Sequence, residues 1–173
     1  LDFSKIESGK VEFEEVDFSL SKLTQQVANN MSFIAESKNI SFICPANLIT
    51  NQCFKADPGR IQQILTNLVS NSIKFTKKGQ VAVFVHCQDD HDKHAIIRFE
   101  VKDTGIGIPA NRLETIFAPF TQADTSTTRK YGGTGLGTTI SRQIVECMKG
   151  KIWAESEVGE EYCCRHGKRG GRA

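Results

Sequence analysis

The run Asp103-Thr104-Gly105-Ile106-Gly107-Ile108-Pro109 constrains this chain more than any other stretch. It sets one carboxylate among apolar residues and glycines, directly after a β-prone segment at 95–101, and stops at a proline. A strand there would deliver Asp103 to the end of a sheet, where ligands commonly sit in α/β architectures. Gly105 and Gly107 lack Cβ atoms and let backbone approach a flat ligand closely. A carboxylate in that place can accept hydrogen bonds from an exocyclic amine such as that of adenine. A calcium loop would need oxygen-bearing residues where this chain has Gly105 and Gly107. An ordinary turn with a capping Asp is the plain alternative.

Two further motifs accompany it. Asp57-Pro58 opens a predicted helix over 57–75, with Asp suited to the N-cap and proline to the first helical position. Ile61, Ile64, Leu65, Leu68, Ser72 and Phe75 fall on one face of that helix. Asn67, Asn71 and Lys74 form a second stripe beside it, so two amides and an ammonium point the same way. Amide oxygens suit Mg²⁺ and an ammonium suits phosphate; a solvated helix flank is the bland alternative. Downstream, Gly132-Gly133-Thr134-Gly135-Leu136-Gly137 precedes a predicted last helix over 136–148. N–H groups at a helix start attract phosphate. The run is not a Walker A loop, which needs Lys where Thr138 stands, and its glycine spacing does not fit a Rossmann fingerprint. A flexible hinge is the remaining alternative.

The rest of the chain fits one soluble α+β domain. At 173 residues it can bury a real core, and no apolar stretch nears the ~20 residues of a membrane span. The formal net charge of +2 resides in 160–173, where Arg165, Lys168, Arg169 and Arg172 outnumber Glu160 and Glu161. The balanced body offers nothing to nucleic acid. Six cysteines show no CxxC pair or metal spacing. Cys44, Cys53, Cys87 and Cys147 read as small buried hydrophobes, as expected of reduced thiols. Strands are predicted at 10–18, 40–44, 53–56, 79–87, 95–101 and 151–155, and a helix through about 37 capped by Ser19 or Ser21. The expected architecture is a two-layer α/β sandwich with helices on one face of a mixed sheet.

Together, and in this order, the three motifs resemble the N box and glycine boxes of the ATP-binding domain of a hybrid-type sensor histidine kinase. The resemblance covers residues 1 to about 159. It implies a Bergerat-type α+β fold, with 1–9 as the end of a dimerisation helix, 10–159 as the catalytic domain and 160–173 as a disordered basic tail. Asn67-Leu68-Val69-Ser70-Asn71-Ser72-Ile73-Lys74-Phe75-Thr76 matches the N box. By resemblance Asn71 is a Mg²⁺ ligand, Asn67 lines the same site, and Lys74 contacts phosphate; Asn67 and Lys74 are the residues implied in catalysis. Asp103 would bind the adenine amine, with Gly105, Gly107 and Ile108 shaping the pocket. Phe117-Ala118-Pro119-Phe120 resembles the F box, and 121–132 would be the ATP lid. Phe120, Arg129, Lys130 and Tyr131 would then lie near the nucleotide, and Gly133, Thr134, Gly135, Leu136 and Gly137 would form its hinge and phosphate cradle.

The implied activity is transfer of the γ-phosphoryl group of Mg-ATP to a histidine on a separate dimerisation domain, in a phosphorelay with a downstream receiver domain. The implied location is cytoplasmic, in a parent protein that can be membrane-anchored. Leu1 in place of methionine is what a fragment would show. His86, His91, His94 and His166 lack the acidic neighbour of a phospho-acceptor, so the acceptor comes from elsewhere. A nucleotide-binding module without kinase activity is therefore a second reading. A hydrolytic ATPase is a third, disfavoured because gyrase and the heat-shock chaperones carry Glu where Asn67 stands. Two departures stand out. The Gly/Ser-Thr-Phe strand that closes the family's sheet is replaced by Glu160-Glu161-Tyr162-Cys163-Cys164-Arg165-His166-Gly167, not a strand by composition. Thr138 replaces an apolar residue, at an expected small packing cost.

Overall fold

The computed structural model describes residues 12–45, 53–90, 94–118, 136–156 and 162–172. Its elements run β1 (Val16–Ser19), α1 (Leu20–Glu36), β2 (Ser41–Ile43), β3 (Cys53–Ala56), α2 (Pro58–Phe75), β4 (Gln80–Asp90), β5 (His94–Asp103), a 3₁₀ turn (Ala110–Arg112), α3 (Gly137–Cys147), β6 (Lys151–Glu155) and β7 (Tyr162–Arg172). The strands form a seven-stranded sheet in the order β1-β3-β7-β5-β4-β2, with β6 also paired to β7. All its pairings are antiparallel except β2 with β4. The mixed sheet and its helical layer are the expected α+β sandwich.

Local chemistry starts the helices where the sequence places them. Ser19, not Ser21, caps α1, its hydroxyl accepting from the Lys22 N–H at 3.4 Å. Asp57 caps α2 through the Arg60 N–H at 2.9 Å, and its second carboxylate oxygen accepts from the Glu14 N–H at 3.2 Å. One side chain thus starts a helix and ties down the segment ahead of β1. Alternation then sets the sheet faces. Val81, Val83 and Val85 of β4 and Ala95, Ile97, Phe99 and Val101 of β5 are buried in the core. Against them lie Ile61, Ile64, Leu65, Leu68, Val69 and Ile73 of α2, the central helix, which packs on both α1 and α3. Burying each such side chain stabilises by roughly 1.5–3 kcal/mol.

Several sequence expectations need correction. Residues 162–172, expected to be a disordered tail, form β7. It pairs with β5 from Tyr162 to Gly171, and with β6 and β3 through Cys163–Gly167 and Gly171–Arg172. Composition misleads here because a strand's stability depends on its neighbours more than on its own propensity. Flanking strands satisfy its backbone N–H and C=O groups whatever the side chains are. β1 is shorter than expected, since residues 12–15 are not strand; residues 1–11, including the implied dimerisation helix, lie outside the described part. Cys53 and Cys147 are exposed, while Cys44 and Cys87 pack partly against the core. Cys53 shares the outward face of β3 with Lys55, whereas Phe54 and Ala56 turn inward. Phe75, expected in the core stripe, is only half-buried in the last turn of α2.

Candidate functional site

The carboxylate at the sheet end is unusual in its setting. Asp103 is the last residue of β5 and is only 5% exposed. Its Oδ1 accepts from the Gly105 N–H at 2.9 Å, and the Ser72 hydroxyl of α2 donates to the same carboxylate. Burial pushes its pKa above the ordinary value; the bonds from Ser72 and Gly105 pull the other way and moderate the rise. A buried carboxylate needs such donors, and one set at the end of a strand is a candidate binding group.

The loop after Asp103 is built around that carboxylate. A Cβ on Gly105 would lie 2.8 Å from Asp103 Oδ1 and 2.9 Å from the Phe75 carbonyl oxygen. Only glycine lets the chain pass so close over the end of α2. Thr104 fastens the loop to β4, its hydroxyl accepting from the Gln80 N–H at 2.9 Å. The Ile108 N–H donates to the Ser156 hydroxyl at 2.8 Å, anchoring the far side near β6. Gly107 and Ile108 between these anchors are half-buried. Thr76, adjacent to Phe75, keeps a buried hydroxyl with no hydrogen-bond partner among the described residues.

Along the C-terminal half of α2, Asn67, Asn71 and Lys74 are half-buried on the flank that the spacing assigned them. The Lys74 ammonium lies 5.1 Å from the centre of the Phe75 ring in the last helical turn. Asn67 Nδ2 donates to the Ser141 hydroxyl of α3 at 2.9 Å. Gly137, one turn before Ser141, packs directly on the Asn67 amide, where any Cβ would overlap its Oδ1. The start of α3 therefore abuts the amide stripe. Leu136 at its N-cap supplies no capping side-chain bond, so the first-turn N–H groups are not met by that cap.

Of the residues proposed from sequence, the structure gathers Asp103, Gly105, Gly107 and Ile108 at one end, and Asn67, Gly137 and Leu136 at the other, with Asn71 and Lys74 along the connecting helix. Phe120, Arg129, Lys130, Tyr131, Gly133, Thr134 and Gly135 lie outside the described residues. Sequence reasoning missed Ser72, read only as part of the core face, and Ser141. A serine inside an apolar stripe was the available signal. Thr138 proves to be more than a packing cost: its hydroxyl donates to the Ile116 carbonyl at 2.7 Å, and Thr139 donates to Ala118 at 3.0 Å. His86 instead meets the buried Glu100 at 3.3 Å on the sheet face away from the helices.

Comparison with known proteins defines the class. Residues 56–168 match the family model described as histidine kinase-, DNA gyrase B-, and HSP90-like ATPase. The match takes in the amide stripe, the Asp103 loop and much of β7. The chain belongs to this family. Its relatives are sensor histidine kinases. It is 41% identical over 160 residues to the sensor protein GacS of Pseudomonas syringae pv. syringae, and 44% identical over 161 residues to the circadian input-output histidine kinase CikA of Synechococcus elongatus. Each match covers 92% of this chain, but only 18% and 21% of those proteins, so the chain spans about a fifth of their length. Among solved structures, full-length ShkA in complex with AMPPNP superposes with a TM-score of 0.82 at 27% identity, over 99% of this chain and 34% of that one. The catalytic domain of histidine kinase ThkA gives 0.69 at 28% identity, over 90% and 95%.

Proposed function

We propose that this chain binds Mg-ATP, with adenine held by Asp103 and the phosphates between α2 and the start of α3. It then passes the γ-phosphoryl group to a histidine on a separate dimerisation domain. In a longer parent, that phosphoryl group would move on to a receiver domain. The observation that carries the reading is the buried Asp103 carboxylate, held by Ser72 and Gly105 at the end of β5. A purine amine is a ligand that such an acceptor suits. The AMPPNP complex of ShkA, similar over nearly all of this chain, supports the same nucleotide class.

The residues at the other end suit a triphosphate. Amide oxygens are hard ligands, and Mg²⁺ normally takes few protein ligands besides water and phosphate, so a half-buried Asn71 fits it. Bound there, the ion would neutralise phosphate charge. Lys74 supplies a second positive charge, and the first-turn N–H groups of α3 supply oriented donors. Phosphoryl transfer depends mainly on positioning and charge stabilisation. The acceptor imidazole nitrogen forms the new P–N bond as the bond from the γ-phosphorus to the bridging oxygen breaks, and ADP leaves. A neutral imidazole needs no strong base. Asn67 has no carboxylate with which to activate water, which favours transfer over hydrolysis.

The deciding experiment is a thermal melt of this chain with a non-hydrolysable ATP analogue, with and without Mg²⁺. It is followed by labelling of a histidine-bearing dimerisation domain supplied in trans. Saturation at about a hundred times the dissociation constant should add ~2.7 kcal/mol. A cooperative melt that ignores nucleotide would overturn the nucleotide reading. Binding without phosphohistidine would leave a regulatory module.

A further inference from the structure

The socket around Asn67 is more elaborate than a phosphate-lining amide requires. Ser141 is 2% exposed, yet its hydroxyl sits 2.9 Å from Asn67 Nδ2, across 74 positions of sequence. Gly137 stands one helical turn earlier on the same stripe, where a Cβ would overlap Asn67 Oδ1 and crowd the rest of the carboxamide. The two residues enclose the carboxamide from one helix, with its oxygen nearest Gly137. The nitrogen is engaged by Ser141, and the oxygen is pressed against the first turn of α3.

We infer that Ser141 is a positioning residue that sets Asn67 as a hydrogen-bond donor toward the phosphates, with its oxygen withdrawn from any metal. An amide nitrogen carries two hydrogens. Ser141 engages one; the other can reach a phosphate oxygen. The oxygen, held beside Gly137, is poorly placed to ligate a cation, which leaves metal binding to Asn71. The two asparagines, one turn apart on α2, would thus have different chemistry. Without the Ser141 hydroxyl, the carboxamide could rotate and present its oxygen to the phosphate, a repulsive contact. The cost would fall on the transferring group more than on the adenine. This inference deepens the Mg-ATP reading and rests on it.

The test is Ser141→Ala in the full chain. ADP and ATP-analogue affinities are read from melting shifts, and transfer to the histidine-bearing domain is measured at saturating Mg-ATP. The side-chain amide resonances of Asn67 are recorded without nucleotide. Transfer should fall about tenfold, the scale of one lost hydrogen bond of ~1.4 kcal/mol, while ADP affinity and the Mg²⁺ requirement stay within about twofold. The Asn67 amide resonances should move, and the Asn67→Ala, Ser141→Ala double variant should transfer no more slowly than Asn67→Ala alone. Should Ser141→Ala fail to fold, Ser141→Cys keeps the side chain's shape with a weaker acceptor and should give the same split. Unmoved amide resonances, or additive losses in the double variant, would overturn the Ser141 inference while leaving the nucleotide reading intact. An unaltered chain indifferent to nucleotide would overturn both.

Discussion

The two ends of the candidate site are held by different means. At the Asp103 end, the carboxylate is bonded to Gly105 two residues away, and Gly105 lies on the Phe75 carbonyl. That end is a turn wrapped over the end of α2 and fastened to Gln80 and Ser156. At the Asn67 end, the decisive contact joins Asn67 to Ser141, from two helices 74 positions apart. The lesson is one of degree: Asp103 is met first by its own loop, with Ser72 of α2 as a further donor, whereas the Asn67 amide depends on a residue of another helix to aim it. On the proposed reading, perturbations at the Asp103 end should change nucleotide affinity, and those at the Asn67 end should change transfer.

Asp103→Asn presses hardest on this contrast. On the proposed reading, replacing this charged acceptor should weaken adenine nucleotides by about 10- to 100-fold, a loss of ~1.5–3 kcal/mol. Titration calorimetry would check it, and an unaffected affinity would dissolve the distinction between the ends. The same variant has a pH signature. The native carboxyl titrates above its ordinary 3.8, so the folded state binds more protons than the unfolded state between those values. Its contribution to stability is full below 3.8 and is lost as pH rises through the raised folded value. Asp103→Asn should remove that decline, so nucleotide-free urea melts across this range should show the variant gaining on the parent as pH rises. Gly105→Ala comes next, with about 1–3 kcal/mol of destabilisation from overpacking against Asp103 and the Phe75 backbone, read by urea melts. Ser72→Ala should cost about tenfold in nucleotide affinity by loosening Asp103, with transfer at saturation unchanged. The smallest effect is expected from Thr138→Val, which removes the bond to Ile116. It should lower stability by ~1 kcal/mol, about 2–4 °C in Tm, and leave adenine affinity alone.

What could be read from the sequence follows the same division. Asp57-Pro58 announced α2 because capping is settled within a few residues. Asp103 was expected at a strand end and is the last residue of β5, because alternation from Ala95 to Val101 carries the register to it. Ser141 could not be found that way, since nothing near it in sequence shows that Asn67 is its partner. Cys53 was misplaced because its apolar surroundings were weighed above the two-residue period of β3. β7 was missed for a related reason: Arg165, Gly167, Lys168 and Gly170 are poor strand formers alone, and only the edges of β5, β6 and β3 make a strand of them.

The placement of β7 bears on how the chain is made. A ribosome releases residues in order, so the β4–β5 hairpin and the amide-bearing helix emerge well before Tyr162–Arg172. Until those residues arrive, β5 has one unpaired edge and β3 lacks its inner neighbour. The nascent domain thus holds open strand edges, a known opening to mispairing. A stall or frameshift late in translation would strand the product in that state, with the candidate-site residues already made and its sheet still in three pieces: β1 with β3, β2 with β4 and β5, and β6 alone.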